Sequence, residues 1–321
     1  MLTQIYKPVA ADLKLVEARL AGLGEVSPSH LAELLRHSLG SGGKRVRPAL
    51  VLLSGSFYEY RREHLLPMAV AIEVLHTATL VHDDAIDHSP QRRSRATVNE
   101  VWGEDRAILL GDYLLAQAEE TVADTRNLEV VKLFARTLRT IARGELGQAE
   151  SAFTIEQTEA QYLERIAAKT ASLISLATTS GAMLSAAPPE AVTSLKDYGY
   201  NLGLAFQIID DILDFIGDPA EMGRPTGSDL VEGTLTLPAM LVLDRDGDDN
   251  PIRRLFRGEG DKSENIARAV ELVTGSGAIE ECYRRAEGYR DRARQSLAAL
   301  PDRPALESLG ALADFVISRR L

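Results

Sequence analysis

The chain has 321 residues, of which 45% are hydrophobic and 26% charged, and its formal net charge is −11 at pH 7. This length and hydrophobic content allow a sizeable core. The acidic balance argues against a nucleic-acid partner, because binding to a phosphate backbone requires a basic surface. The single cysteine, Cys282, cannot form an intramolecular disulfide, so no oxidising compartment is indicated and a buried thiol is expected.

The first twenty residues have the pattern of an amphipathic helix, without the basic and apolar regions of a secretion signal, so we predict a cytoplasmic protein. Helix-forming residues recur in long periodic runs, and no run alternates apolar and polar residues as a strand does. Breaks that divide the chain into roughly ten helices fall at 24–30, 40–43, 89–97, 186–190, 217–233 and 244–264. None resembles a linker between domains, which predicts an all-α fold in a single domain, residues 1–321.

Two of the predicted helices, residues 66–82 and 202–216, are apolar on nearly all sides. Helices of this kind are usually enclosed by others. The most apolar window, Leu65–Val81, is interrupted by Glu73 and His76 and is short for a membrane span. We therefore expect a buried central helix and no membrane span.

An acidic cluster with the pattern DDxxD follows directly on the first of these helices, at Asp83–Asp87, and a second lies within the other, at Asp210–Asp214. In a helix the first and last Asp of each cluster share one face. A solvated helix end would explain one such cluster, but two clusters in apolar helices suggest a common counter-charge. Mg²⁺ fits, because it is usually held by one or two carboxylates together with waters and substrate phosphates. The spacing of a calcium-binding EF-hand is absent.

Arginines follow the first cluster in the segment HSPQRRSRATVN, at positions 92, 93 and 95. Guanidinium groups match phosphate oxygens in bidentate geometry, so this segment suits a diphosphate. Salt bridges to the acidic cluster are the alternative, which stays open for Arg95.

Two further lysines stand out. Upstream of the first cluster, in GSGGKRVRP, Lys44 and Arg47 lie three residues apart. The segment lacks the pattern of a nucleotide-binding phosphate loop. The alternative to a functional role is a basic helix start. Lys169 lies inside the apolar run RIAAKTASLISLA, where a lysine requires an anion.

The segments GGKRVRP, LHTATLVHDDAID, RRSRATVN, GDYLLA, KTASL, GLAFQIIDDILD, GRPTGSDLVEGTLTLP and FVISRR, in this order, closely resemble the trans-prenyl diphosphate synthases, also called the polyprenyl synthetase family. The resemblance implies an isoprenoid-synthase-type helical bundle around a central apolar cavity, with the two Asp-rich helices facing each other at its mouth, and a homodimer. The implied reaction is the Mg²⁺-dependent head-to-tail condensation of isopentenyl diphosphate with an allylic prenyl diphosphate, with three Mg²⁺ ions and Mn²⁺ as a substitute.

The resemblance also implies roles for individual residues. Asp83, Asp87 and Asp210 would bind the magnesium ions, with Asp84, Asp211 and Asp214 as further catalytic carboxylates beside them. The allylic diphosphate would contact Arg92, Lys169, Thr170, Gln207 and Arg224. Isopentenyl diphosphate would contact Lys44, Arg47, His76 and Arg93.

The chain departs from the family pattern at four positions, where Gly, Pro, Lys and Lys are common and this chain has Ser94, Ala96, Arg224 and Thr234. Arg224 keeps the charge of lysine but not its geometry. Thr234 removes one phosphate contact. These departures make substrate affinity harder to predict than metal binding.

The length of the prenyl product is predicted from Ala78, which lies five residues before Asp83. The family places a bulky aromatic residue there in enzymes that stop chain growth early. With Ala78 and the adjacent Thr79, the pocket would stay open for roughly 5–10 Å along the helix, which favours products longer than geranylgeranyl diphosphate. The floor would come from other apolar residues, Ile72, Leu75, Leu114, Leu115 and Ala118. A geranylgeranyl or farnesyl diphosphate synthase is the alternative.

Three other functions compete with an autonomous synthase. A class I terpene cyclase normally has an Asn/Ser/Glu metal motif where this chain has DDILD, and a non-catalytic subunit typically loses one or both clusters. Both clusters are intact, which argues against these two. A catalytic subunit that requires a small partner stays open, as does peripheral membrane association through a lipid product.

Overall fold

Helices make up nearly all the regular structure in a computed structural model, which describes residues 1–40, 42–92, 95–219, 225–243 and 250–319. The α-helices are α1 (Leu2–Ile5), α2 (Ala10–Gly22), α3 (Ser29–Leu39), α4 (Val46–Gly55), α5 (Arg62–Ile86), α6 (Val98–Trp102), α7 (Glu104–Ala123), α8 (Leu128–Glu150), α9 (Glu159–Ile166), α10 (Ser172–Leu184), α11 (Pro189–Ile216), α12 (Ser228–Val231), α13 (Leu237–Leu243), α14 (Pro251–Phe256), α15 (Lys262–Gly275), α16 (Ala278–Ser296) and α17 (Pro304–Ile317). Short 3₁₀ turns lie at Lys7–Val9 and Leu297–Ala299, and a π-helical turn at Ala167–Ala171. The all-α prediction is confirmed.

The predicted breaks fall at helix ends, but the prediction of roughly ten helices is too low for the described residues. Two short helices, α12 and α14, lie inside stretches that the sequence predicts to be loops. Helices of one or two turns contain too few residues to display a 3.6-residue period, so periodicity does not reveal them.

A small hairpin also escapes prediction. Strands β1 (Gln91–Arg92) and β2 (Arg95–Ala96) pair antiparallel, with Arg92 opposite Arg95. Strands of two residues are too short to show the alternation by which a strand is recognised. The hairpin belongs to the basic segment that follows the first acidic cluster.

The chain forms two compact units. The first comprises Met1–Thr137, Leu173–Gly199 and Arg294–Leu312, and the second comprises Leu138–Ser172, Tyr200–Ala293 and Ala313–Leu321. The first acidic cluster belongs to the first unit and the second cluster to the second. The prediction of one domain over residues 1–321 stays a prediction.

Helix α5 is the central helix of the first unit. Its apolar side chains are buried on all sides from Leu65 to Leu75, and 78% of its most apolar window is buried inside the protein, which confirms the prediction of a core helix. Helix α7 packs closely against α5 at Gly111. A Cβ atom at this position would lie 2.1 Å from Nε2 of His82, so the absence of a side chain permits the contact. This close approach aligns α7 with the end of α5 that bears the first cluster.

The second half of α11 is the corresponding core element of the second unit. Its apolar residues from Leu202 to Phe215 are almost completely buried, as predicted, except Phe206, which is partly exposed. Gly203 permits contact with the π-helical turn, since a Cβ atom at this position would lie 2.4 Å from Cα of Ala171. The backbone of the turn therefore lies directly against α11, beside the second acidic cluster.

Candidate active site

The first acidic cluster lies at the C-terminus of α5, where the helix ends at Ile86 and Asp87 is the C-cap residue. Asp83 is partly buried, Asp84 is buried and Asp87 is exposed. Three carboxylates at this end of a helix are electrostatically unfavourable, because the helix dipole places negative partial charge there. The cluster therefore favours bound cations, as the sequence predicts.

Asp84 is contacted by a cation of the protein. The Nε atom of Arg92 donates a hydrogen bond of 2.7 Å to Oδ1 of Asp84. Burial raises the pKa of Asp84 above its ordinary value, and the Arg92 guanidinium opposes that shift. Asp84 thus connects the end of α5 to strand β1.

A salt bridge to the acidic cluster, the alternative left open for Arg95, is therefore formed by Arg92. Arg95 instead donates to the carbonyl oxygen of His37 at 3.1 Å. The His37 ring bonds the carbonyl oxygen of Ala96 at 2.8 Å, so the hairpin is held against the end of α3 from both sides. Arg93, predicted to bind isopentenyl diphosphate, lies outside the described residues.

The other predicted ligands of isopentenyl diphosphate belong to the first unit. Lys44 is exposed in the segment that precedes α4, and Arg47 is partly buried in the first turn of that helix. His76 is partly buried on α5, almost two turns before Asp83. Between the two cations lies Arg45, which sequence reasoning did not single out and which contacts Glu17 and Glu73.

The second acidic cluster lies in the last two turns of α11. Asp210 is its most accessible member, with 36% of the side chain exposed, and Nη2 of Arg319 lies 3.5 Å from its Oδ1 atom. The Arg319 guanidinium also packs over the Phe206 ring, 4.7 Å from the centroid. The first Asp of this cluster therefore faces cationic surroundings.

Asp211 is held inside the protein by two donors. The Tyr162 hydroxyl donates to Oδ2 at 2.6 Å, and the Gln207 amide donates to Oδ1 at 2.8 Å. Burial raises the pKa of Asp211 to about 7, and the nearby carboxylate of Asp229 adds to that shift, whereas the two hydrogen bonds oppose it. These contacts occupy both carboxylate oxygens.

Asp214 is likewise buried and bonded to the protein. Oγ of Ser228 donates to its Oδ1 atom at 2.7 Å, and the backbone amide of Asp229 donates to its Oδ2 atom at 3.3 Å. Its side chain therefore ties α11 to α12. Arg224, predicted to bind the allylic diphosphate, lies outside the described residues.

Lys169 and Thr170 both lie in the π-helical turn. The expectation that Lys169 requires an anion is confirmed, because its Nζ atom lies 3.0 Å from Oε1 of Glu145. The Thr170 hydroxyl donates to Oε1 of Gln207 at 2.6 Å. Single π-helical turns occur frequently at functional sites.

The predicted chain-length residues lie on α5 and α7 of the first unit. Ala78, Leu75 and Leu114 have no exposed surface. Thr79 and Leu115 are partly buried. The small side chain at position 78 is thus enclosed by protein atoms.

Sequence reasoning missed Tyr162 and Glu145, which hold Asp211 and Lys169. A signal for Tyr162 was present, because it lies seven residues before Lys169, about two helical turns, so the two side chains would share one face of a helix. For Glu145 there was none, since acidic residues on an exposed helix are common.

The donor atoms of the two clusters suit a hard cation. In the described part of the chain, no group of three or more His, Cys, Asp or Glu residues is arranged to hold a metal by itself. Mg²⁺ in phosphate sites usually takes only one or two carboxylates and completes its coordination with water and substrate oxygens. The accessible carboxylates, Asp83, Asp87 and Asp210, therefore fit Mg²⁺ that arrives with a diphosphate.

Comparison with known proteins shows the family to which the chain belongs. A family profile described as polyprenyl synthetase matches residues 28–273. Heptaprenyl diphosphate synthase component 2 of Geobacillus stearothermophilus is 35% identical over 320 residues, which cover 99% of this chain and 99% of the relative. The crystal structure of a decaprenyl diphosphate synthase from Rhodobacter capsulatus is 36% identical with a TM-score of 0.93, covering 99% of both chains. That of a polyprenyl synthase from Caulobacter crescentus, complexed with calcium and isoprenyl diphosphate, is 35% identical with a TM-score of 0.94 and covers 100% of this chain and 98% of the other. The chain therefore belongs to the polyprenyl synthetase family and is a prenyltransferase.

Proposed function

We propose that this chain is a trans-polyprenyl diphosphate synthase, which condenses isopentenyl diphosphate with an allylic prenyl diphosphate to give a medium- to long-chain product. The observation that supports the proposal best is that neighbouring carboxylates within each acidic cluster differ in burial. The first Asp, Asp83 or Asp210, is only partly buried, whereas the second, Asp84 or Asp211, is buried and hydrogen-bonded to the protein. Each cluster thus offers carboxylates to a ligand and holds one in place.

The proposed metal ligands are Asp83 and Asp87 in the first unit and Asp210 in the second. They would hold Mg²⁺, three ions in all, with Mn²⁺ as a substitute; the calcium and isoprenyl diphosphate in the Caulobacter structure support a divalent cation with a diphosphate. Bound Mg²⁺ supplies a Lewis acid that stabilises charge on the departing diphosphate. Asp84, Asp211 and Asp214 keep these carboxylates and their neighbours in position.

Basic and polar side chains complete the proposed allylic site. Lys169 and Arg92 provide positive charge where negative charge develops, which is commonly the largest catalytic contribution of a protein. Thr170 and Gln207 orient each other by their hydrogen bond and present polar groups beside Lys169. Arg224 completes the proposed set.

The reaction needs no dedicated base from a side chain. Ionisation of the allylic diphosphate leaves a carbocation, and apolar walls protect it from water. The C3–C4 double bond of isopentenyl diphosphate then attacks, and the proton from C2 goes to the released diphosphate. Lys44, Arg47, His76 and Arg93 are proposed to hold the isopentenyl diphosphate during this step.

The proposed product is longer than geranylgeranyl diphosphate. Small side chains below the first cluster, Ala78 and Thr79, leave less obstruction than an aromatic residue at position 78. The named relatives include a heptaprenyl and a decaprenyl diphosphate synthase, which supports this length. A geranylgeranyl or farnesyl diphosphate synthase remains the alternative.

A homodimer is proposed for the assembly. Apolar side chains are exposed on α6 and at the start of α7, at Val101, Ile108 and Leu109, and a second copy would cover them. The alternative is a catalytic subunit with a small partner, which the name of the Geobacillus relative, component 2, favours. Light scattering on the purified chain, alone and with substrates, distinguishes the two.

A cytoplasmic location is proposed, with peripheral membrane association through the lipid product. In the part of the chain that the structure describes, α5 is the one helix long and apolar enough to cross a membrane, and it forms a protein core. The partition of the enzyme between buffer and vesicles, with and without product, tests this location.

The decisive experiment is an assay of the purified chain with Mg²⁺, farnesyl diphosphate and isopentenyl diphosphate. We expect diphosphate release and, by mass spectrometry, prenyl diphosphates longer than geranylgeranyl diphosphate. No release with farnesyl, geranyl or geranylgeranyl diphosphate as primer would exclude an autonomous synthase. Activity restored by a small subunit from a two-component synthase would identify a heteromeric enzyme.

A further inference from the structure

Arg45 lies between two predicted substrate ligands, Lys44 and Arg47, yet its side chain points into the protein. Only 12% of the side chain is exposed. Its Nη1 atom lies 2.7 Å from Oε1 of Glu73 on α5, and its Nη2 atom lies 3.1 Å from Oε2 of Glu17 on α2. One guanidinium group therefore connects the basic segment to two helices of the first unit.

The backbone of Arg45 is in the left-handed region, with φ of 47° and ψ of 38°, where it caps the N-terminus of α4. Residues with a Cβ atom rarely adopt this conformation, because Cβ approaches the following carbonyl oxygen. Such a conformation persists only where the surroundings hold it. The two carboxylates that bind the guanidinium group provide that restraint.

The position of Glu73 gives the ion pair its significance. Only 8% of its side chain is exposed, so its charge is compensated chiefly by Arg45. Glu73 lies three residues before His76 on α5, and residues with this spacing share one face of a helix. The pair therefore sets the position of Lys44 and Arg47 relative to His76.

We propose that Arg45 is a positioning residue for the isopentenyl diphosphate site. It does not touch the substrate; its ion pairs with Glu73 and Glu17 hold the left-handed turn that presents Lys44 and Arg47. The inference rests on the proposed function, because it assigns these two cations to the isopentenyl substrate. A purely structural role is the competing explanation, and it predicts lower stability with unchanged substrate binding.

The test uses a double variant, Arg45→Gln with Glu73→Gln. Removal of one partner alone leaves a buried charge unpaired and can unfold the protein, whereas removal of both does not. Isopentenyl diphosphate cannot react without an allylic primer, so calorimetry measures its dissociation constant directly. We expect this constant to rise about tenfold, as the KM for the same substrate does, because two charge-assisted contacts lose their alignment. The KM for the allylic substrate and kcat should change less than about twofold.

A matched control is available in the same unit. Nε of Arg62 lies 2.7 Å from Oδ1 of Asp12, so this pair also connects α5 to α2. Arg62 is the first residue of α5, at the end of the helix far from the first acidic cluster. The double variant Asp12→Asn with Arg62→Gln should bind isopentenyl diphosphate as the wild type does. Arg45→Lys, which keeps the charge but not the two-pronged contact, should show an intermediate dissociation constant.

Three results would overturn the inference. They are a folded Arg45/Glu73 double variant with the wild-type dissociation constant, an equal rise in the Asp12/Arg62 control, and an equal rise in KM for both substrates. If the double variant does not fold, wild-type binding by a folded Arg45→Lys protein overturns it as well. Failure of the proposed function is distinguishable, because a wild-type protein that binds isopentenyl diphosphate without condensing it contradicts that function alone.

Discussion

The hydroxyl of Tyr162 donates a 2.6 Å hydrogen bond to the carboxylate of Asp211, and both side chains are almost completely buried. The same carboxylate accepts from Gln207, whose amide oxygen accepts from Thr170. Asp211 therefore belongs to a chain of hydrogen bonds between the π-helical turn and α11. We propose that it orients the side chains next to Asp210.

Tyr162→Phe removes one hydroxyl from this chain of hydrogen bonds and leaves the packing intact. We expect a loss of about 1.5–3 kcal/mol in the free energy of unfolding, because the acceptor is a buried carboxyl group. Urea denaturation measures the loss, and steady-state kinetics should show a lower kcat because Gln207 is less well oriented.

Tyr198→Phe is the matched control. Tyr198 is also buried, and its hydroxyl donates at 2.8 Å to a neutral acceptor, the carbonyl oxygen of Leu309. We expect a smaller loss of about 0.5–1.5 kcal/mol and an unchanged kcat. Equal effects of the two substitutions on kcat would contradict the role assigned to Asp211.

The two neighbouring aspartates of the first cluster should respond differently to substitution by Asn. Asp83→Asn should lower kcat/KM by about two to three orders of magnitude and raise the Mg²⁺ concentration needed for half-maximal rate, as expected for a metal ligand.

Asp84→Asn should mainly lower the melting temperature, because it leaves Arg92 without its 2.7 Å ion pair. Magnesium titrations and thermal unfolding of both variants check these expectations. A normal magnesium requirement in Asp83→Asn would remove that residue from the metal site.

Ala78→Phe should shorten the product. An aromatic ring on α5 five residues before Asp83 would block growth about 7 Å from the first cluster, at 1.5 Å per residue. Because Ala78 has no exposed surface, the larger side chain should also cost about 1–3 kcal/mol of stability. Mass spectrometry of the products decides, and an unchanged length distribution in a folded variant would show that position 78 does not face the growing chain.

Cys282 should be inert in the native protein. It is completely buried, and burial raises the pKa of its thiol to about 12, with the charge of Asp211 adding to the shift. The thiolate is the reactive form, so at pH 8 almost none is present. We expect no labelling by iodoacetamide at this pH and stoichiometric labelling in urea, and rapid labelling of the folded enzyme would contradict the buried position.

The sequence predicts the central helices well and individual contacts less well. The apolar runs that become α5 and the second half of α11 are too long for strands, so their length indicates helices. The requirement of Lys169 for an anion followed from its apolar surroundings, but the identity of that anion, Glu145, depends on a contact between residues 24 positions apart. Local pattern does not contain this information.

Arg92 illustrates the same limit. The excess of positive charge after the first cluster was readable, and so was its suitability for phosphate. Which carboxylate each arginine meets depends on the two-residue strands that turn the segment back, and those strands have no sequence signature. In the structure Arg92 bonds to Asp84, and Arg95 bonds to the end of α3.

The π-helical turn at Ala167–Ala171 accommodates one more residue than a regular α-helix would hold between Tyr162 and Thr170. Thr170 lies eight residues after Tyr162, and in a straight α-helix eight residues overshoot two full revolutions by about 80°. The wider turn absorbs this excess rotation, so that both side chains reach partners one turn apart on α11, Gln207 and Asp211. A homologue that lacked one residue between these two positions would have them seven residues apart, about 20° short of two full revolutions, so a regular α-helix without the π-helical turn would suffice for both hydrogen bonds.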